Sequence, residues 1–256
     1  MTILLAFGLT SLYFFINRDA NEQLPKISQI NKQDSNITEP HFKGTSHSTL
    51  VNMSPEWGDH VDEISAWQQK EFGYYLTNVI MSDYDSYNIE TLKSLAAQGD
   101  LKALDLLAWK YLKLKDIGKA IYYYNKAAIL GSTYALKVLG KISDTARAKD
   151  KTQTQTDAIT ELAYYQAGIL RGDTSLLLES ESCIEVRGLA LSDEDKLFIQ
   201  NMGAKIYADL KSERVALGLG KFNSMPQTVR DFYFYVAQGN LELTTGASPL
   251  FVLNKY

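Results

Sequence analysis

The sequence predicts an all-α protein: a short array of α-hairpins, closed by a C-terminal helical cap and preceded by an N-terminal membrane-anchor helix. Three observations predict it. From Ala103, Leu107 follows at +4, Ala108 at +5 and Tyr111 at +8; from Ala135, Leu139 follows at +4 and Gly140 at +5, the same half-unit 32 residues later. A second half-unit runs from Ala120 through Tyr123 and Tyr124 at +3 and +4, Ala127 and Ala128 at +7 and +8, to Gly131 at +11, and returns 41 residues on as Tyr164, Tyr165, Gly168, Ile169 and Gly172. These are helical spacings, with small residues that let helices approach, tyrosines that fill the gap, and a glycine suited to a left-handed cap. Third, residues 2–16, TILLAFGLTSLYFFI, carry no charge over 15 positions.

The apolar segment belongs in lipid. Its length fits a signal-peptide core or a short spanning helix, which usually needs about 17–25 residues. No small-residue cleavage site follows Ile16, so residues 1–17 are expected to remain as an anchor, with cleaved signal as the alternative. Arg18, Lys26 and Lys32 follow the segment and argue for a cytoplasmic body, whereas single anchors at a chain start mostly export the rest of the chain; the body is expected in the periplasm. Residues 18–53, rich in Asn, Gln, Ser, Thr and Lys, read as a flexible linker.

Order is expected from Ser54, an N-cap with Pro55 at the first helical position. An amphipathic helix over 61–81 would place Ile64, Trp67, Phe72, Tyr75, Leu76 and Val79 on one side. A helix over 88–98, ending at Gly99, forms a degenerate first unit. Helices over 101–113, 117–130 and 133–147 follow, with Asp100, Asp116 and Ser132 as N-caps. The run 144–156, DTARAKDKTQTQT, reads as a lengthened turn that accounts for the nine residues separating the 41-residue spacing from 32. The array is expected to fill 54–180 and a C-terminal helical region 181–256. In the latter, Ser192 and Asp195 form a capping box for a helix over 193–217, and Pro226 opens a final helix closed by Gly239. The tail beyond it contains SPLFVL, too apolar to be left in water.

A formal charge of −4 with dispersed Lys and Arg offers no basic stripe for a phosphate backbone, so nucleic acid is not expected as a partner. The single cysteine, Cys183, excludes an intramolecular disulfide and any multi-cysteine metal site. His41, His47 and His60 have no metal-ligand spacing, and nothing in the sequence calls for a cofactor.

The half-units resemble those of the Sel-one-like repeat family, α/α relatives of the tetratricopeptide repeats, over about residues 88–172. The resemblance implies a protein-binding scaffold and not a catalyst. Some members carry a cysteine pair in every repeat, and this chain carries none.

Stacked hairpins present a groove whose walls recognise a protein or peptide. The helix positions that the packing set leaves over, Lys102, Asp105, Trp109, Lys110 and Lys137, are the partner-binding candidates. No catalytic, cofactor or metal residue is assigned. The enzymatic alternative is a cell-envelope hydrolase drawing on Glu179, Glu181, Glu185, Asp193, Glu194 and Arg214, if three of them converge in a desolvated pocket. Their simpler reading is a solvated turn around Cys183 and a helix N-terminus. Tyr122, Tyr123 and Tyr124, like the four aromatics at 232–235, sit at helical spacing, so only one or two of each run can face inward.

Overall fold

Short polar side chains placed one residue before the apolar run start the helices that begin at Ile89, Leu101, Ile117, Thr133 and Asp193. In the computed structural model, which describes residues 55–74, 84, 86–145 and 154–243, every helix or strand element among those residues is helical. A 3-10 turn, Pro55–His60, leads into α1 (Val61–Phe72). Then come α2 (Ile89–Ala97), α3 (Leu101–Lys113), α4 (Ile117–Leu130), α5 (Thr133–Thr145), α6 (Thr154–Arg171), α7 (Leu176–Arg187), α8 (Asp193–Ala216) and α9 (Gln227–Leu243). Asn88, Asp100 and Asp116 accept from the backbone N–H three residues on, and Ser132 Oγ accepts from Ala135 N. At α8 the Ser192–Asp195 capping box forms in both directions. The described residues lie in one unit, Gly44–Tyr256. The expected anchor, linker and Ser54 cap lie outside the described residues, as does the apolar tail, and no described helix is long and apolar enough to cross a membrane.

Successive helices from α2 to α7 pack each on the next, and α8 lies across α6 and touches α4. The inward tyrosines of the two recurring half-units, Tyr124 and Tyr165, are both fully buried, as are Ala127 and Ala135. The first joins a core of Leu104, Ala108, Leu136, Leu139 and Leu210; the second joins Leu162, Leu176 and Ile199. The first described helix meets the last: Ile64 and Phe72 of α1 share a cluster with Val229, Phe232 and Tyr233 of α9.

Four expectations are corrected. Helix α1 stops at Phe72 and not near 81, because Gly73 takes a left-handed conformation (φ +74°) and caps it; Tyr75, Leu76 and Val79 lie outside the described residues. The stretch around Cys183 is helix α7 and not a turn, with Ser180 and Cys183 buried, so the boundary expected at 180/181 falls inside a helix. Helix α9 continues through Gly239 to Leu243; its inner face is held by α1, and a lone glycine costs a helix only about 1 kcal/mol. The nine extra residues are not all loop. Tyr165 stands eleven residues after the start of α6, whereas Tyr124 stands seven after the start of α4, so four of the nine lengthen α6 and five lengthen the connection.

Candidate functional site: a row of helix-ending turns

Six turns among the described residues, at Gly99, Lys115, Gly131, Gly172, Gly188 and Gly218, share one hydrogen-bond pattern, and in three of them a glycine is followed directly by Asp or Ser. Gly99, Gly131 and Gly172 have φ of +85°, +123° and +112°. Each donates its N–H to the carbonyl three residues back, and the next residue donates to the carbonyl five back: Ala96 and Leu95, Ala128 and Ala127, Ile169 and Gly168. This is the double bond of a Schellman end, which only a positive φ permits. The residue after each glycine then opens the next helix or turn: Asp100 and Ser132 as N-caps, Asp173 by accepting from Ser175 N.

The end of α1 lies across the second and third of these turns. Four consecutive residues, Glu71, Phe72, Gly73 and Tyr74, all engage groups of other elements, with Arg171 shared by the first two and Ser132 by the middle two. The Glu71 carboxylate accepts from Asn223 Nδ2 at 2.9 Å and from Arg171 Nη2 at 3.4 Å, while its main-chain oxygen runs so close to Gly131 that a Cβ there would stand 3.2 Å from it. The Phe72 ring meets Tyr233 edge-on at 5.5 Å and lies under the Arg171 guanidinium. The Phe72 carbonyl faces Ser132 Oγ at 3.4 Å. A Cβ on Gly73 would stand 2.4 Å from Ser132 Oγ and 2.5 Å from Asp105 Oδ2, so nothing larger than hydrogen fits there. The Tyr74 hydroxyl donates to Asp173 Oδ2 at 2.7 Å, and its ring meets Tyr134 edge-on.

The carboxyl groups beneath this segment are far from water. Burial pushes Asp105 well above the usual carboxylate range, with only the Ser132 hydroxyl, 3.2 Å from Oδ2, favouring the charge. Burial also raises Asp173, but donors from Ser175, Thr133 and Tyr74 oppose it. Ser132 has one proton to give and already accepts from Ala135 N. A neutral Asp105 can donate to Ser132 Oγ, leaving that proton for the Phe72 carbonyl; an ionised Asp105 draws the proton to itself. Behind Glu71, the guanidinium groups of Arg171 and Arg214 lie over the Phe222 ring at 4.6 and 4.4 Å. Arg214 donates to the Ile129 carbonyl at 2.7 Å and so ties the end of α8 to the end of α4. Burial lowers the pKa of both arginines, and Glu71 opposes that in each.

The five partner-binding candidates are not brought together as one open surface. Asp105 is the correction: it is 5% exposed and belongs to the buried row, because its position on α3 faces the Gly131–Ser132 turn and the end of α1. Lys137 is bonded to Glu179 across α5 and α7. Lys110 Nζ donates to the Tyr87 carbonyl at 3.0 Å, and Lys102 Nζ lies 4.4 Å from the centre of the Tyr84 ring. Trp109 is half-buried against the cluster of Leu92, Ala103 and Leu107, with Lys113 over its ring. The six residues named for a hydrolase are spread out. Glu185, Asp193 and Glu194 are exposed, Glu179 is held by Lys137 and Lys141, and Arg214 is spent on carbonyls. The sequence pattern did not point to Glu71, Gly73, Tyr74, Arg171 and Asp173; the Gly131–Ser132 and Gly172–Asp173 correspondence was the one signal for them.

Protein-family models, curated proteins and solved structures give no match to this chain.

Proposed function

We propose that this chain is a membrane-anchored scaffold for protein–protein interaction, built on Sel-one-like helical hairpins, and not an enzyme. The observation that carries the reading is the recurrence of one turn-and-tyrosine unit: Gly131–Ser132 with Tyr124, then Gly172–Asp173 with Tyr165, the glycines in the same backbone conformation and both tyrosines fully buried. A chain that repeats a packing unit is using it to extend a surface. The uncharged segment at residues 2–16 supports attachment to a membrane, with the body in the periplasm. The geometry favours the hydrolase less, since Glu179 and Arg214 are held by other partners and Glu185, Asp193 and Glu194 face solvent, which leaves Glu181, half-buried on α7, with its pKa raised by burial. The experiment is photo-crosslinking from the membrane-anchored full chain, with the crosslinker placed in turn at Lys102, Trp109 and Lys110. A defined protein adduct that competes with unlabelled chain supports the scaffold. Adducts formed equally from every surface position, or hydrolysis of envelope polymers lost on replacing Glu181, would overturn it.

A further inference from the structure

The segment at residues 71–74 has the properties of a bound ligand more than of a helix end. Each of its four residues meets fixed groups, with Arg171 shared by the first two: the acid meets Arg171 and Asn223, the aromatic ring Tyr233 and Arg171, the absent side chain Ser132 and Asp105, and the phenol Asp173. The readers Ser132 and Asp173 belong to the turns after α4 and α6, and Asp105 and Arg171 to α3 and α6, helices that pack mainly on neighbours other than α1, whereas Tyr233 belongs to α9. Helix α1 itself packs on α9. The internal occupant is also imperfect. Arg171 is 7% exposed, its one bond to Glu71 is long at 3.4 Å, and its Nε has no hydrogen-bond partner among the described residues. A guanidinium reads a carboxylate best with two parallel bonds, which this segment does not supply.

We propose that this row of turns is a receptor for a short peptide segment from a partner protein, carrying an acidic residue, an aromatic residue, glycine and tyrosine in that order, and that residues 71–74 occupy it in cis until such a segment displaces them. The proposal rests on the scaffold reading and names its partner class. A tethered occupant competes at an effective concentration of about millimolar, so a partner must present the motif with the better-placed acid or bring further contacts.

The test uses the full chain and a fluorescein-labelled peptide with the sequence of residues 66–76, AWQQKEFGYYL. In the variant carrying Glu71→Ala, Phe72→Ala and Tyr74→Ala the internal segment is disabled, and fluorescence polarisation should show saturable binding that is about tenfold or more tighter than to the unaltered chain. The same peptide with alanine in place of its glycine should bind about tenfold or more weakly, because its Cβ collides with the Ser132 and Asp105 oxygens. Should the triple variant lose its helical circular dichroism, Tyr74→Phe, which removes only the hydroxyl on Asp173, takes its place and should still bind the peptide more tightly than the unaltered chain. A folded variant that binds no peptide, or binds both peptides equally, overturns the receptor. Crosslinks at Lys102 or Trp109 would survive that outcome, so the scaffold reading and the receptor fail separately.

Discussion

At the scale of single residues, burial decided what the sequence could not. Asp105 looks free in a helical count because its neighbours Leu104 and Leu106 account for two inward directions; a third packing surface, the end of α1 arriving from more than thirty residues away, covers it. Its raised pKa has a definite consequence. The folded chain holds the proton on Asp105 more tightly than the unfolded chain does, so this contribution to stability is complete below the ordinary aspartate pKa. It is lost as pH rises through the raised value, at about 1.4 kcal/mol for each pH unit that separates the folded from the unfolded pKa. Asp173 has the same sign. We expect the melting temperature of the unaltered chain to fall between mildly acidic and mildly alkaline buffer, and Asp105→Asn to flatten that fall; a midpoint that climbs over the same range would mean the carboxylate is stabilised as an ion. The small residues, by contrast, were legible. Ala127 is fully buried where α4 meets its neighbours, whereas Lys126 is half-buried beside Tyr122. Ala127→Leu should cost about 1–3 kcal/mol in denaturant unfolding and Lys126→Leu far less; equal effects would show that the register is misassigned.

At the scale of elements, starts were more legible than ends. Helix starts are local, since an Asp or Ser accepts from an N–H three residues away, and every such start read from Asp100, Asp116, Ser132 and Ser192 stands within a residue of its place. Ends depend on the neighbours that the chain meets in space. Gly73 stops α1 by turning into the left-handed conformation where Ser132 and Asp105 leave no room for a Cβ, whereas α9 runs on through Gly239. The crossing of α8 over α6 had no local signal, yet a Cβ on Gly203 would stand 2.5 Å from Gln166 Cγ, which marks the contact. The division of the nine extra residues yields a paired test. Removing five residues from within 146–153 should leave the melting temperature nearly unchanged, since loop closure changes by only about 0.6 kcal/mol per doubling of length. Removing residues 154–157 instead takes away Asp157, which is buried, and Gln155, whose amide reaches Asp195 at the start of α8. That deletion should lower the melting temperature by several degrees; if the two deletions behave alike, the first turn of α6 contributes nothing to stability.

At the scale of the whole molecule, the all-α class was legible from spacing alone, but the closure of its two ends was not. Periodicity marks an apolar face without naming what covers it, and the cover for Ile64 and Phe72 is α9, whose Tyr233 accepts a hydrogen bond from Gln68 across 165 residues of sequence. Truncation after Asn223 should therefore uncover α1 while α3 to α6 keep their packing. Hydrogen exchange should report lost protection in α1 and retained protection in α4, and a hydrophobic dye should bind; α1 amides that stay protected would show that its last residues alone hold it. The same closure sets an order of events during synthesis. A chain made N-terminus first at about 5–20 residues per second completes α9 on the order of ten to thirty seconds after α1. Through that interval Ile64 and Phe72 lack the cover that α9 provides, and the segment that fills the row of turns lacks the ring of Tyr233 beside it. A chain that ends before α9 would leave the α9-facing side of α1 uncovered. The last described helix to be made is thus the one that covers the first, and α1 is finished only when α9 is.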